Sequence, residues 1–106
     1  MKTRIVFILI AAVALLCASA AFAAEDGAAI YKAKCASCHG PDGSGQTAVG
    51  KSMKLRDLLS EEVQKLKGEE IEKIIADGKG KMPAYKSKLK EAEIDELVKY
   101  VKSLKK

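Results

Sequence analysis

The sequence predicts an all-α protein, and three observations support this class. Apolar residues recur at helical spacing in two segments, residues 68–78 and 90–106. Stretches rich in glycine or lysine, each containing a proline, separate the helical segments. No segment alternates apolar and polar residues with the period of two that marks a half-buried strand. We therefore expect three to five helices that are joined by irregular loops.

The first 23 residues have the layout of a secretory signal peptide. Lys2 and Arg4 precede an apolar run over residues 5–16, and an Ala-Phe-Ala cleavage motif ends at Ala23. The apolar run is short for a membrane span. We expect cleavage near Ala23, which leaves residues 24–106 as one exported domain with no integral membrane span. The alternative is that the N-terminal segment is retained as a membrane anchor.

The predicted mature domain is small and has few large apolar side chains. Removal of 23 residues from 106 leaves 83, with three tyrosines as the only aromatic residues and 17 basic against 14 acidic side chains. A domain of this size usually needs a disulfide, a metal or a cofactor for stability. A disulfide between Cys35 and Cys38 would close only a tiny loop and add little. We therefore expect these cysteines to serve another purpose.

The first half of the domain is predicted to contain one long helix and then shorter elements. Glu25 and Asp26 suit the start of a helix that Gly40-Pro41 should end. The glycine-rich stretch 40–52 is predicted to be loop. One or two short helices are expected within residues 54–68, one of them beginning after Ser60.

The second half of the domain contains the clearest helices. Ile71, Ile74 and Ile75 share one face of a helix that should end at Asp77-Gly78. A lysine-rich loop with Pro83 follows over residues 79–88. The last helix, within residues 90–106, has acidic residues early and lysines late, as the helix dipole favours. Its apolar stripe consists of Ile94, Leu97, Val98, Val101 and Leu104.

The Cys35-Ala36-Ser37-Cys38-His39 motif carries the chemistry of this chain. A thioredoxin-like thiol pair would need a βαβ context, which the sequence does not show. A zinc site would need four ligands, and His39 is the only histidine. Covalent haem attachment has C-x-x-C-H as its signature. Two thiols one helical turn apart can add to the two vinyl groups of a porphyrin, and the next residue can then direct its imidazole at the iron.

These features resemble a known family, the small monohaem class I cytochromes c of bacterial type. The resemblance covers nearly all of residues 25–106, and it depends on Cys35, Cys38, His39, Met82 and the terminal helix with Tyr100. It implies that three to five helices wrap around one covalently bound haem c. It also implies that Gly27 and Tyr100 mark a close crossing of the first and last helices.

The second axial iron ligand is expected to be a methionine. Met82 lies in a polar loop directly before Pro83, which is where the resembled family places its ligand methionine. Met53 is the alternative, although it lies only 14 residues after His39, in a region that must first wrap the haem edge. A His39/Met82 pair gives six-coordinate iron, which suits electron transfer better than oxygen chemistry.

Two further groups of residues have both a functional and an ordinary interpretation. Tyr31 and Tyr85 would pack on the haem or donate to its propionates, or they would be ordinary packing residues. Five lysines around Met82 would steer acidic redox partners towards the exposed haem edge, or they would simply be solvated. They are Lys79, Lys81, Lys86, Lys88 and Lys90.

The sequence thus predicts a periplasmic, monomeric one-electron carrier that turns over no substrate and exchanges electrons with redox partner proteins. Nucleic acid is not an expected partner, because the lysines alternate with acidic residues and no aromatic platform lies among them. The alternative is a five-coordinate haem sensor or small haem enzyme in which Met82 is not bound. A second alternative is a haem-free thiol or metal module.

Overall fold

The architecture consists of short helices around a small apolar core. The computed structural model describes residues 26–105, so the predicted signal peptide lies outside the described residues. Within this range the helices are α1 (Gly27–Lys34), α2 (Ala36–His39), α3 (Ala48–Met53), α4 (Glu61–Gln64), α5 (Gly68–Asp77) and α6 (Glu91–Ser103). Extended pairing in residues 26–105 is limited to one isolated antiparallel bridge between Lys79 and Met82. The predicted all-α class is confirmed.

Polar side chains at the helix N-termini determine where the helices begin. Asp26 accepts a hydrogen bond from the Ala28 N–H at 3.1 Å and caps α1. Ser60 caps α4, as the sequence predicted. Glu70 and Glu93, each in the first turn of its helix, accept from the main-chain N–H just before α5 and α6, at 3.1 and 3.0 Å. No helix in the described part of the chain is long and apolar enough to span a membrane.

Two predictions about the first half were wrong in detail. The first helix is not continuous, because the chain turns at Cys35 between α1 and α2. The stretch 40–52 is not entirely loop, because α3 begins at Ala48 within it. The Thr47 hydroxyl caps α3 by accepting from the Gly50 N–H at 2.8 Å. This local cap, and the packing of α3 on α2, outweigh the low helix propensity of the glycine.

The core is formed by the inward faces of α1, α4, α5 and α6, together with Leu89 from the loop before α6. Its buried members are Ile30, Tyr31, Val63, Ile71, Ile75, Leu89, Ile94, Leu97 and Val101. The predicted stripes of α5 and α6 are confirmed in their buried positions, although Ile74, Val98 and Leu104 are only partly buried. This core contains no phenylalanine or tryptophan, so a bound apolar cofactor would add substantially to the buried surface.

The crossing of α1 and α6 positions the rest of the fold. A Cβ atom added to Gly27 would lie 2.2 Å from the Glu96 carbonyl oxygen and 3.1 Å from the Tyr100 Cβ. Only a glycine permits so close an approach of the two helices. The expected contact of Gly27 with the last helix near Tyr100 is therefore confirmed.

The C-terminal helix is also joined to α4 by polar contacts. The Gln64 amide donates to the carbonyl oxygens of Leu58 and Val101 at 2.7 and 2.9 Å. The Lys102 ammonium donates to the carbonyl oxygens of Gln64 and Leu66 at the end of α4. The two bonds from Lys102 satisfy carbonyl groups at and just after the end of α4, where a helix of four residues leaves them free.

Candidate functional site

The two cysteines of the C-x-x-C-H motif lie at the junction of α1 and α2. Cys35 occupies the turn and Cys38 lies in α2, and both are partly buried free thiols. Burial raises the pKa of Cys35 to about 11. A thiol-disulfide redox centre instead lowers the pKa of its attacking cysteine. The environment of Cys35 therefore does not favour the thioredoxin-like alternative.

His39 ends α2 with its imidazole largely withdrawn from solvent. Burial lowers the pKa of His39, so the ring is neutral at pH 7 and retains a lone pair for a metal. Its Nδ1 atom is buried and has no hydrogen-bond partner, the one such side-chain atom in residues 26–105. Buried polar atoms without a partner are costly and call for a ligand. The chemistry of this donor set fits an iron porphyrin.

The loop after His39 folds back and holds the main chain of the motif. The Thr47 hydroxyl donates to the Cys38 carbonyl oxygen at 2.7 Å, and the Gly45 N–H donates to the His39 carbonyl oxygen at 2.7 Å. A Cβ on Gly50 would lie 2.9 Å from the Cys38 carbonyl oxygen. Sequence reasoning missed the supporting roles of Thr47 and Gly50, because stretch 40–52 looked like irregular loop.

Tyr31 supports the other end of the motif. Its hydroxyl is buried and donates to the Gly40 carbonyl oxygen at 2.6 Å, just after His39. Burial is the main cause that raises the pKa of Tyr31. Its ring lies 4.9 Å from the Tyr100 ring, centroid to centroid. The proton of this hydroxyl is therefore used by the protein main chain.

Met82 lies in a tight turn that its own main chain stabilises. The Lys79 N–H donates to the Met82 carbonyl oxygen at 3.2 Å, and the Met82 N–H donates to the Lys79 carbonyl oxygen at 3.0 Å. The Met82 side chain is partly buried and packs against the core. Met53, at the end of α3, is 42% exposed. The two candidate ligands thus differ in environment, and Met82 is the one that faces inwards.

Tyr85 connects the Met82 loop to the cysteine segment. Its hydroxyl donates to the carbonyl oxygen of Lys34, the residue before Cys35, at 3.1 Å. Burial, and then the neighbouring Cys35 and Cys38, raise the pKa of Tyr85. Residues 51 positions apart in the chain are joined here, and neither helical periodicity nor motif spacing could have shown this contact.

The five lysines around Met82 are all exposed, but they are not equivalent. Lys86 pairs with Asp77 at 3.5 Å, and the Lys88 ammonium lies 5.4 Å from the centroid of the Tyr85 ring. Within residues 26–105 the ammonium groups of Lys79, Lys81 and Lys90 make no ion pair or cation–π contact. Two of these three unpaired charges, Lys79 and Lys81, lie beside Met82.

A protein-only metal site is not formed in the described part of the chain. Residues 26–105 contain no group of three or more His, Cys, Asp or Glu side chains that could hold a metal ion. The zinc alternative therefore has no ligand set within this range. A porphyrin does not need one, because it supplies four of the iron ligands itself.

Comparisons with known proteins identify the family of this chain. Residues 22–101 match the profile of the family described as cytochrome c oxidase, cbb3-type, subunit III. The chain is 38% identical over 85 residues to cytochrome c6 of Nostoc sp. (strain PCC 7120 / SAG 25.82 / UTEX 2576), covering 78% of this chain and 74% of the relative. A cytochrome c6-like protein of the same organism is 37% identical over 76 residues, covering 72% of this chain and 66% of the relative.

Solved structures give the same result. The KustC0563 c-type cytochrome superposes with a TM-score of 0.72 at 34% identity, covering 77% of this chain and 100% of that chain. A tyrosine-to-phenylalanine variant of Kustc0563 superposes with a TM-score of 0.69 at 32% identity, covering 76% of this chain and 100% of that chain. The chain therefore belongs to the family that its residues 22–101 match, and it is a small monohaem class I cytochrome c, an electron carrier with one covalently bound haem c.

Proposed function

We propose that this cytochrome is a periplasmic one-electron carrier with His/Met-ligated iron. In this proposal Cys35 and Cys38 form the two thioether bonds, and His39 and Met82 are the axial ligands. The protein carries electrons between redox partners and turns over no substrate. The haem supplies the one-electron change at its iron. The protein residues hold the cofactor, occupy its axial positions and limit the access of water.

One observation carries this proposal. The turn that contains Met82 is attached, through Tyr85, to the residue that precedes Cys35. Two segments far apart in sequence, each with one predicted ligand, are thereby joined directly. Met53 lies in α3, which Thr47 also attaches to the motif, but the Met53 side chain is 42% exposed, whereas Met82 is partly buried against the core. This difference supports Met82 as the sixth ligand.

Occupation of both axial positions explains why a carrier is favoured over a sensor or an enzyme. A thioether in the sixth position stabilises reduced iron and raises its potential. It also leaves no open position for a small molecule. His39, the only histidine, is already assigned to the iron, so no second imidazole remains to act as a distal acid or base.

The ligand assignment is tested with Met82→Ala and the matched variant Met53→Ala. Oxidised wild-type protein should show the weak long-wavelength absorption band of thioether-bound ferric iron. We expect Met82→Ala to abolish this band and to bind carbon monoxide readily when reduced, and Met53→Ala to keep the band. Survival of the band in Met82→Ala would contradict the assignment. A pyridine haemochrome assay on the periplasmic extract checks for the haem itself.

Partner docking is proposed on the basic surface beside Met82. Lys79 and Lys81 are exposed there, and an acidic patch on a partner would complement them. Charge reversal of both lysines should slow electron exchange with an anionic inorganic complex such as ferrocyanide at low salt, and less so at high salt. Lys99→Glu on α6 is the control, because Lys99 already pairs with Glu96. Equal slowing by both changes would contradict this surface.

Export and the monomeric state complete the proposal. Cleavage near Ala23 predicts that the mature protein begins at or close to Ala24, which mass spectrometry of purified holoprotein will show. A retained N-terminus together with membrane association would support the anchored alternative. Size-exclusion chromatography with light scattering checks the monomer, and a dimer mass would contradict it.

A further inference from the structure

Two tyrosine hydroxyls bracket the haem-attachment segment at its two ends. The Tyr85 hydroxyl donates to the Lys34 carbonyl oxygen at 3.1 Å, immediately before Cys35. The Tyr31 hydroxyl donates to the Gly40 carbonyl oxygen at 2.6 Å, immediately after His39. The residues between these two carbonyl groups include both cysteines and the histidine.

The two bonds connect very different parts of the chain. Tyr31 lies in α1, nine positions from Gly40, and its bond is buried. It therefore stabilises the segment from within the same part of the fold. Tyr85 lies 51 positions from Lys34, three residues after Met82, and its bond is exposed. Of these two bonds, only the one from Tyr85 connects the motif segment directly to the methionine loop.

The Lys34 carbonyl is available because the helix breaks at Cys35. In a continuous helix the Cys38 N–H would donate to it, but this N–H donates to the Cys35 carbonyl oxygen at 3.2 Å. A carbonyl at a helix end needs another partner. The Tyr85 hydroxyl provides that partner, so it satisfies the carbonyl group that the helix break at Cys35 leaves free.

The main chain of Tyr85 is fixed as firmly as its hydroxyl. The Tyr85 N–H donates to the Ile75 carbonyl oxygen at 3.0 Å, which attaches the loop to the end of α5. The Tyr85 carbonyl oxygen accepts from the N–H groups of Lys88 and Leu89 at 2.9 and 2.8 Å. Tyr85 thus links α5, through its main-chain N–H, to the end of α1, through its hydroxyl.

We propose that Tyr85 is a positioning residue that keeps Met82 on the iron by attaching its loop to the cysteine segment. This inference depends on the proposed ligation by Met82. Tyr85 does not itself bind the iron. Loss of its hydroxyl frees the loop from the end of α1, so that Met82 leaves the sixth position more often and an external ligand takes its place more readily.

The test is a titration of the oxidised holoprotein with imidazole, which competes for the sixth position. Tyr85→Phe keeps the ring and removes only the hydroxyl. We expect Tyr85→Phe to raise the apparent affinity for imidazole by about two- to fivefold, because the hydrogen bond that it removes is a single, exposed one. The readout is loss of the long-wavelength methionine band. Tyr100→Phe is the control, because the Tyr100 hydroxyl makes no hydrogen bond within residues 26–105, and it should leave the affinity unchanged.

Tyr31→Phe separates positioning from general stability. It removes the other, buried hydroxyl bond and should lower the urea midpoint, while the imidazole affinity stays within about twofold of wild type. If Tyr31→Phe raises the affinity as much as Tyr85→Phe does, the effect is one of overall stability and the inference is overturned. An unchanged affinity in Tyr85→Phe overturns it as well.

The same experiment distinguishes failure of this inference from failure of the proposed function. If the wild-type protein lacks the methionine band, ligation by Met82 is wrong and the inference is overturned with it. If the wild-type band is present and depends on Met82, only the role of Tyr85 remains at issue. Circular dichroism of each variant confirms that it is folded.

Discussion

The close crossing of α1 and α6 gives the sharpest test of the packing argument. In Gly27→Ala the added Cβ would lie 2.2 Å from the Glu96 carbonyl oxygen and 2.8 Å from its carbonyl carbon. Real Cβ contacts are essentially never shorter than 3.0 Å. The two helices must therefore separate by about 0.8 Å at this point. The obstructing atoms belong to the main chain, so no side-chain rotation relieves the clash.

The expected cost follows from two opposing terms. Alanine is favoured over glycine in a helix by up to about 1 kcal/mol. Overpacking costs about 1–3 kcal/mol, and contact with main-chain atoms places Gly27→Ala at or above the upper end. We therefore expect a net loss of about 2 kcal/mol in the free energy of unfolding. For a domain of this size that corresponds to a fall in melting temperature of roughly 8–16 °C.

The matched control is Gly68→Ala, because Gly68 is also the first residue of its helix. A Cβ on Gly68 would lie 3.5 Å from the nearest side-chain atom, Cγ1 of Val98, which is ordinary van der Waals contact. We expect this variant to be as stable as wild type, or more stable by up to about 1 kcal/mol. Urea unfolding of both holoproteins, followed by circular dichroism, gives the comparison. Equal stability of the two variants would refute the packing argument.

Two further predictions concern the motif and the last helix. Gly50→Ala should lower the fraction of protein with covalently bound haem, because its Cβ would lie 2.2 Å from the Gly45 carbonyl oxygen and 2.9 Å from the Cys38 carbonyl oxygen, both next to the motif. Haem staining relative to total protein measures this fraction, and full attachment would contradict the prediction. Lys102→Met should lower the free energy of unfolding by about 1–2 kcal/mol, because the ammonium donates to two main-chain carbonyl oxygens. The exposed control Lys99→Met should change it by less than about 0.5 kcal/mol, and a similar loss in both would count against the prediction.

The haem motif and the helix patterns could be predicted because they are local. Cys35, Cys38 and His39 are nearly contiguous, so their chemistry follows from spacing alone. Helix faces follow from apolar residues three and four positions apart, and α5 and α6 were predicted on that basis. The start of α4 was predicted from Ser60, because an N-cap acts within its own first turn.

The wrong predictions arose where tertiary contacts outweigh local preference. Stretch 40–52 contains four glycines, which lower helix propensity. The helix α3 forms there because Thr47 caps it and because Gly50 fits against the Cys38 carbonyl oxygen. The break at Cys35 could likewise not be predicted, since the residues around it are compatible with a continuous helix.

The sequence by itself determined the fold class, the haem-attachment motif and the two candidate methionines. These depend on the order and spacing of neighbouring residues. Only the tertiary structure decided which methionine faces inwards, how closely α1 approaches α6, and that Tyr85 reaches the Lys34 carbonyl oxygen. Those features depend on distances between residues that are far apart in the chain. The close packing of the whole domain sets these distances.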